Sequence, residues 1–297
     1  MSEIPQIKPK RFNVRAVATA IFYFLIIATI ALIWFVAWSA VDIWISTDDL
    51  TGSDWQDTES LSFEPECNVF GIELRGELST YISPENYDQD GYPIVDQTAS
   101  EDVVYYIEQA ELDESVKAIV LEVDSYGGYP VAAEEIADAL KSASKPTVAF
   151  IRGGGASAAY WAASGADVIF ASKNSDVGSI GVTASYLDYS RQNQDLGIQY
   201  IAISSGKFKD AGDSDKPLTA EERQLIQRDV DILHENFVQA VAQNRGLEVE
   251  VVRSLADGST VLGQAALEQG LIDQLGGLPA VKAYLAEKIG EAVEICW

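Results

Sequence analysis

From Ala16 to Val41 the chain runs for 26 consecutive positions without a charged side chain, and no other feature restricts its fold as strongly. A helix of that length reaches roughly 39 Å at ~1.5 Å per residue, against ~30 Å of bilayer hydrocarbon, so the run is expected to cross a membrane with some tilt. Trp34, Trp38 and Trp44 gather toward its far end, where an interfacial aromatic belt sits. Lys8, Lys10, Arg11 and Arg15 precede the run, and Asp42, Asp48, Asp49 and Asp54 follow it. By the positive-inside rule residues 1–15 are a cytoplasmic tail and residues 16–45 a single-pass signal anchor in the cytoplasmic (plasma) membrane, with everything beyond it outside. The alternative is a cleaved secretory signal, with Ala37-Trp38-Ser39-Ala40 as the small-residue frame. It fits the length less well, because cleavable apolar regions run about 7–15 residues.

The charge balance bears on partners. Of 46 acidic residues only Glu3 lies before the run, and of 20 basic residues four do, which leaves 45 against 16 beyond it and a formal charge of −29. Such a surface repels polyanions, so nucleic acid is not an expected partner. The bilayer is contacted through the N-terminal helix. Cys67 and Cys296 both fall in the oxidising compartment on this topology and can pair, a question the sequence leaves open. One histidine, His234, and two cysteines without a ligand-spaced neighbour give no support to a metal or other cofactor. Asp88-Gln89-Asp90-Gly91 has the look of a calcium loop without the rest of its pattern and reads as a turn.

Residues 46–66 are acidic and Ser/Thr-rich without apolar periodicity, which suits a solvated linker. One domain, residues 67–297, follows. Apolar runs at Asn68 to Leu74, Val116 to Val123, Thr147 to Ile151, Val168 to Phe170 and Tyr200 to Ile203 read as strands. Helical patterns at Val131 to Ser142, Ala158 to Ser164 and Leu187 to Leu196 alternate with them, which predicts an α/β layer fold. Thr219 and Glu222 form a capping-box pair ahead of the stripe Ile226, Val230, Leu233, Phe237, Val241, so a long helix is expected to end near Gly246.

Three glycine-bearing turns follow strands: Asp124-Ser125-Tyr126-Gly127-Gly128, Arg152-Gly153-Gly154-Gly155-Ala156-Ser157, and Val177-Gly178-Ser179-Ile180-Gly181. Glycine there permits positive φ and close backbone approach. Ser157 precedes an Ala-rich helix, where developing negative charge is stabilised. The same stretch loosely mimics a dinucleotide fingerprint, without the acidic residue that should close a later strand. It also approximates the G-x-S-x-G elbow, which needs a late histidine, but His234 falls inside the long helix beside its apolar stripe. A serine nucleophile here needs another base. A lysine serves when burial lowers its pKa from ~10.4 toward ~7 to 8, and Lys207 and Lys209 flank an aromatic in the loop Ser204-Ser205-Gly206-Lys207-Phe208-Lys209-Asp210. The plain reading of that loop is two solvated lysines.

The ordered set of motifs resembles the signal peptide peptidase A family of membrane-bound serine proteases over about 230 residues. Lys117 to Leu121 leading to Asp124-Ser125-Tyr126-Gly127-Gly128 is similar to the family's strand and N-S-P-G-G turn, and Ala156-Ser157-Ala158-Ala159-Tyr160-Trp161 to its A-S-G-G-Y-Y segment. Val177-Gly178-Ser179-Ile180-Gly181-Val182 is similar to T-G-S-I-G-V, Ser205 to Asp210 to S-G-x-x-K-D, and Leu262 to Ala266 with Gly270 to Asp273 to the closing segment.

The resemblance implies a ClpP/crotonase-like α/β spiral and a serine endopeptidase, with Ser157 as nucleophile and Lys209 as general base. Ser179 would hydrogen-bond the lysine amine, and the Gly128 and Ala158 N–H groups would form the oxyanion hole. It further implies hydrophobic peptide substrates, such as remnant signal peptides or other membrane-proximal segments, and a homo-oligomeric ring in which a neighbour can supply the lysine. Ala158 and Ala159 replace paired glycines, which narrows the cleft, and Tyr126 replaces a proline, which frees φ in the oxyanion turn. Two other classes remain: a non-catalytic membrane-anchored scaffold of the same fold, and a crotonase-like acyl-CoA enzyme, whose substrate would be cytosolic.

Overall fold

The computed structural model describes residues 67–86, 88 and 94–297. The anticipated anchor, tail and linker lie outside these residues, as does most of the Asp88 to Gly91 turn. Among the described residues no helix is long and apolar enough to cross a membrane.

In chain order the elements are β1 (Val69–Ser79), a 3-10 turn (Pro84–Asn86), β2 (Gln97–Ala99), α1 (Ser100–Leu112), β3 (Ala118–Gly128), α2 (Pro130–Ser142), β4 (Thr147–Ala156), α3 (Ala158–Ser164), β5 (Val168–Ala171) and β6 (Asp176–Gly178). There follow α4 (Ser190–Asp195), α5 (Ala220–Arg245), α6 (Val249–Leu255), β7 (Thr260–Leu262), α7 (Gly263–Glu268), β8 (Gln274–Leu275), α8 (Leu278–Ile289) and β9 (Ile295–Cys296). The strands form a sheet in the order β2-β1-β3-β4-β5-β8, parallel throughout, with β6 beside the end of β4, β7 antiparallel to β6, and β9 beside the start of β1. This is the α/β class that the alternating pattern predicts.

Burial explains the strand lengths. In β3 every residue from Ala118 to Val123 is buried, and from Asp124 to Gly128 burial alternates. A parallel strand covered on both faces reads as a continuous apolar run, which is why the sequence marks Val116 to Val123 as a strand and stops short of the half-covered tip. One sheet face packs Ile72, Leu74, Leu121 and Ile151 against α1, α2, α3 and α5; the other packs Val120, Val148 and Phe170 against Val281 and Leu285 of α8. α5 begins at the anticipated capping box, Thr219 accepting from the Glu222 N–H, and ends at Gly246 in the left-handed region with φ 61°. Cys67 and Cys296 form a disulfide that joins the two ends of the domain, 229 residues apart in sequence.

Two expectations change. Leu187 to Leu196 contracts to the short α4, and Tyr200 to Ile203 is not a strand. The short apolar run there has the right composition for a strand, but no strand of the described chain pairs with it, and an unpaired strand has no ladder to hold it.

Candidate active site

The parallel register gathers the three glycine turns at the carboxyl ends of β3, β4 and β6. Ala156 lies opposite Gly178 in the β4–β6 pair, and the next residue, Ser157, donates its N–H to Gly178 O at 2.7 Å. Ser157 adopts φ 53°, ψ −129°. With Ser179, at φ 51°, it is one of two non-glycine residues with positive φ among the described residues. Such conformations cost about 1–3 kcal/mol and persist where their surroundings hold them. Here the strain falls on a strand-to-helix turn, the local geometry that presents a nucleophile at the top of a sheet.

Gly127 and Gly128 form the facing wall. A methyl group on Gly127, whose φ is 117°, would lie 2.9 Å from Ser157 Cβ and 3.2 Å from the Ala158 nitrogen, so the turns touch through backbone. One on Gly128 would lie 2.1 Å from Leu78 O. Tyr129 donates its N–H to that same Leu78 oxygen at 2.9 Å, which in a parallel ladder leaves the Gly128 N–H on the side away from β1.

Ser157, Ala158 and Gly128 line one cavity of about 300 Å³, and its other walls include Tyr129, Pro130, Trp161, Val182, Leu233 and Phe237. Trp161 of α3 stacks on Phe237 of α5, with ring centroids 5.0 Å apart and planes 14° apart, an arrangement worth about 0.5–1.5 kcal/mol beyond the area it buries. The helix that carries Ser157 is further fixed by Tyr160, fully buried, whose hydroxyl donates to Leu271 O at 2.8 Å. Burial pushes the Tyr160 hydroxyl pKa well up, so it stays a neutral donor.

The remaining anticipated residues, Ser179 and Lys209, do not line this cavity. Ser179 donates its hydroxyl to Gly258 O at 2.8 Å and its N–H to Ser259 O at 2.9 Å, and it lines a separate polar cavity of about 160 Å³ with Asp257 and Gln269. Lys209 is exposed, in a run of turns, and does not line the Ser157 cavity. Its neighbour Lys207 pairs with Glu221 at 2.6 Å. His234 lies 3.1 Å through Nε2 from Ala256 O and is likewise not part of the cavity wall. Among the described residues no three or more His, Cys, Asp or Glu side chains are grouped to hold a metal ion.

Sequence reasoning did not mark Leu233, Phe237, Tyr129 or Glu77 as site residues. Leu233 and Phe237 belong to a stripe that reads as core, and its upper end doubles as cavity wall. Tyr129 follows the Gly127-Gly128 turn and carried a positional signal; Glu77 carried none, because only the β1–β3 register, Glu77 opposite Gly127, brings it to the site.

Residues 139–291, just over half of the chain, match peptidase family S49. A candidate protease of Methanocaldococcus jannaschii is 37% identical over 180 residues, 59% of this chain and 58% of that protein. Protease 4 of Salmonella typhi is 33% identical over 195 residues, 65% of this chain and 31% of its own length. The chloroplastic serine protease SPPA of Arabidopsis thaliana is 28% identical over 192 residues, 64% and 28% of the two chains. The matched segment thus spans at most three fifths of these relatives. A ClpP1 mutant from Listeria monocytogenes superposes with a TM-score of 0.45 at 15% identity, covering 70% of this chain and 91% of that one, too distant a likeness to bear on mechanism. On the extent of the family match, this chain belongs to peptidase family S49.

Proposed function

We propose that this chain is a serine endopeptidase that uses a Ser-Lys dyad to cleave remnant signal peptides or other hydrophobic, membrane-proximal peptides. The observation that carries the reading is Ser157, held at φ 53° in an apolar cavity whose facing wall is the Gly128 backbone. The Ser157 hydroxyl attacks the scissile carbonyl while the Lys209 amine takes its proton. Gly128 and Ala158 N–H groups stabilise the oxyanion, each such donor being worth about 10²–10³ in kcat. The lysine then protonates the leaving amine, and water, activated by the same lysine, hydrolyses the acyl-enzyme. No cofactor enters this chemistry.

Lys209 reaches Ser157 in this scheme from a second copy of the chain, and Ser179 then turns its hydroxyl to the amine. Exposed apolar side chains on the segment that carries Lys209 support an assembly: Leu187, Leu196, Ile201 and Ile203 are between 65% and 95% exposed. The homo-oligomeric ring, the ClpP/crotonase-like spiral, the single-pass anchor and the extracytoplasmic placement of residues 67–297 belong to the same proposal and rest on the sequence motifs and charge flanks. Full-length protein in detergent, compared with Ser157→Ala and Lys209→Ala on an apolar peptide, tests it: both variants should lose cleavage with assembly unchanged. Undiminished cleavage in either variant counts against the dyad.

The exposed position of Lys209 favours one other reading, a non-catalytic membrane-anchored scaffold. Failure of the assembled wild type to cleave any peptide would select it.

A further inference from the structure

Of the residues that line the Ser157 cavity, Glu77 is the one that carries a charge. It sits near the end of β1, opposite Gly127 in the register, and its side chain is exposed at the mouth of a wall otherwise built from Pro130, Trp161, Leu233 and Phe237. Its nearest polar contact is long, Gln97 Nε2 donating to Oε2 at 3.5 Å, and no cation of the chain pairs with it among the described residues. Acids on the neighbouring strand β3 are committed: Glu122 to Arg75 and Arg152, Asp124 to the Gly154 N–H. A carboxylate with one long amide contact and no ion-pair partner among the described residues, beside an apolar cleft that shields it from part of the solvent, is a receptor for a substrate cation.

We propose that Glu77 is a specificity-determining residue that recognises a positive charge, an ammonium or guanidinium group, close along the peptide from the apolar side chain that fills the Trp161–Phe237 end of the cavity. This deepens the peptidase reading and rests on it. A cation seated there is held by an ion pair on one side and by aliphatic packing of its stem on the other.

The test uses the full-length protein in detergent and a set of fluorogenic peptides with one apolar residue at the scissile bond. A lysine, glutamine or glutamate is placed in turn at each neighbouring position, with the amino terminus free or acetylated. At one position or at the terminus, kcat/KM should favour the positive peptide over its glutamine counterpart by roughly fivefold at low salt. The preference should fade in high salt, disappear in Glu77→Gln and reverse in Glu77→Lys. Loss of preference on acetylation assigns the cation to the amino terminus; its persistence assigns it to a side chain. Glu108→Gln removes the same unit charge from α1, away from the cavity, and should retain the preference. An unchanged preference in Glu77→Gln, or an equal loss in Glu108→Gln, overturns the inference in favour of the general acidic field. A wild type that cleaves no peptide removes the peptidase reading itself.

Discussion

Gly127 lies so close above Ser157 that a methyl group at its Cα would sit 2.9 Å from the serine Cβ and 3.2 Å from its Oγ. The glycine is therefore fixed twice, by that contact and by a φ of 117° that side chains rarely adopt. Gly127→Ala should push the two turns apart and cost activity more than stability. We expect kcat/KM to fall by about 10²-fold or more, since displacements of ~1 Å at a reacting centre have that effect. Circular dichroism and urea unfolding on the same sample separate misplacement from misfolding; wild-type activity would mean that the serine is not read from this wall.

The Trp161–Phe237 stack links α3, the helix that follows Ser157, to α5. Phe237 is 2% exposed, and Phe237→Ala should destabilise the protein by about 3–5 kcal/mol through lost burial and the cavity left behind. Phe237→Leu should cost less than about 1.5 kcal/mol if the site can repack. Urea unfolding measures both, and the alanine variant should also lose kcat/KM on peptides with a bulky apolar residue at the scissile bond.

Much of this framework was legible in the sequence for reasons that are local. Thr219 and Glu222 specify a helix start through hydrogen bonds three residues apart, and the β-branched runs of β3 and β4 specify strands because they are covered on both faces. The strand-to-helix turn at Ser157 was legible because glycines and a following Ala-rich helix share one stretch of chain. Glu77, Leu233 and Phe237 were not, since the cavity they line is made by strand register and helix packing across more than 150 residues. Tyr200 to Ile203 shows the opposite failure. An apolar, β-branched run describes side chains that suit a strand, and says nothing about whether a neighbouring strand is there to pair with it.

The start of α5 should set an acid limit to stability. Glu222 accepts hydrogen bonds from Lys216, the Thr219 N–H and the Thr219 hydroxyl, and these hold its carboxyl down from an ordinary 4.5 to about 2, the Lys216 bond being the largest cause. A carboxyl depressed in the folded state contributes stability that is fully present above its unfolded pKa and is lost as pH falls through the folded value. Melting temperatures should therefore drop between about pH 4.5 and pH 2, and Glu222→Gln should flatten that part of the curve. An unaltered acid limb in the variant would place the sensitive group elsewhere.

The Cys67–Cys296 disulfide closes a loop of 229 residues. Reduction, or the Cys67→Ser/Cys296→Ser double variant, should lower unfolding free energy by about 2–4 kcal/mol. Urea midpoints with and without reductant check this: the wild type should shift and the double variant should not, while peptide cleavage under native conditions persists in both.

The most direct measurement of the central claim is peptide mapping after reaction with a fluorophosphonate, carried out on the assembled full-length protein. A nucleophilic Ser157 activated by Lys209 predicts one adduct, on Ser157, slowed by about 10² or more in Lys209→Ala. An adduct on another residue, or labelling of Ser157 at an undiminished rate without Lys209, would contradict it.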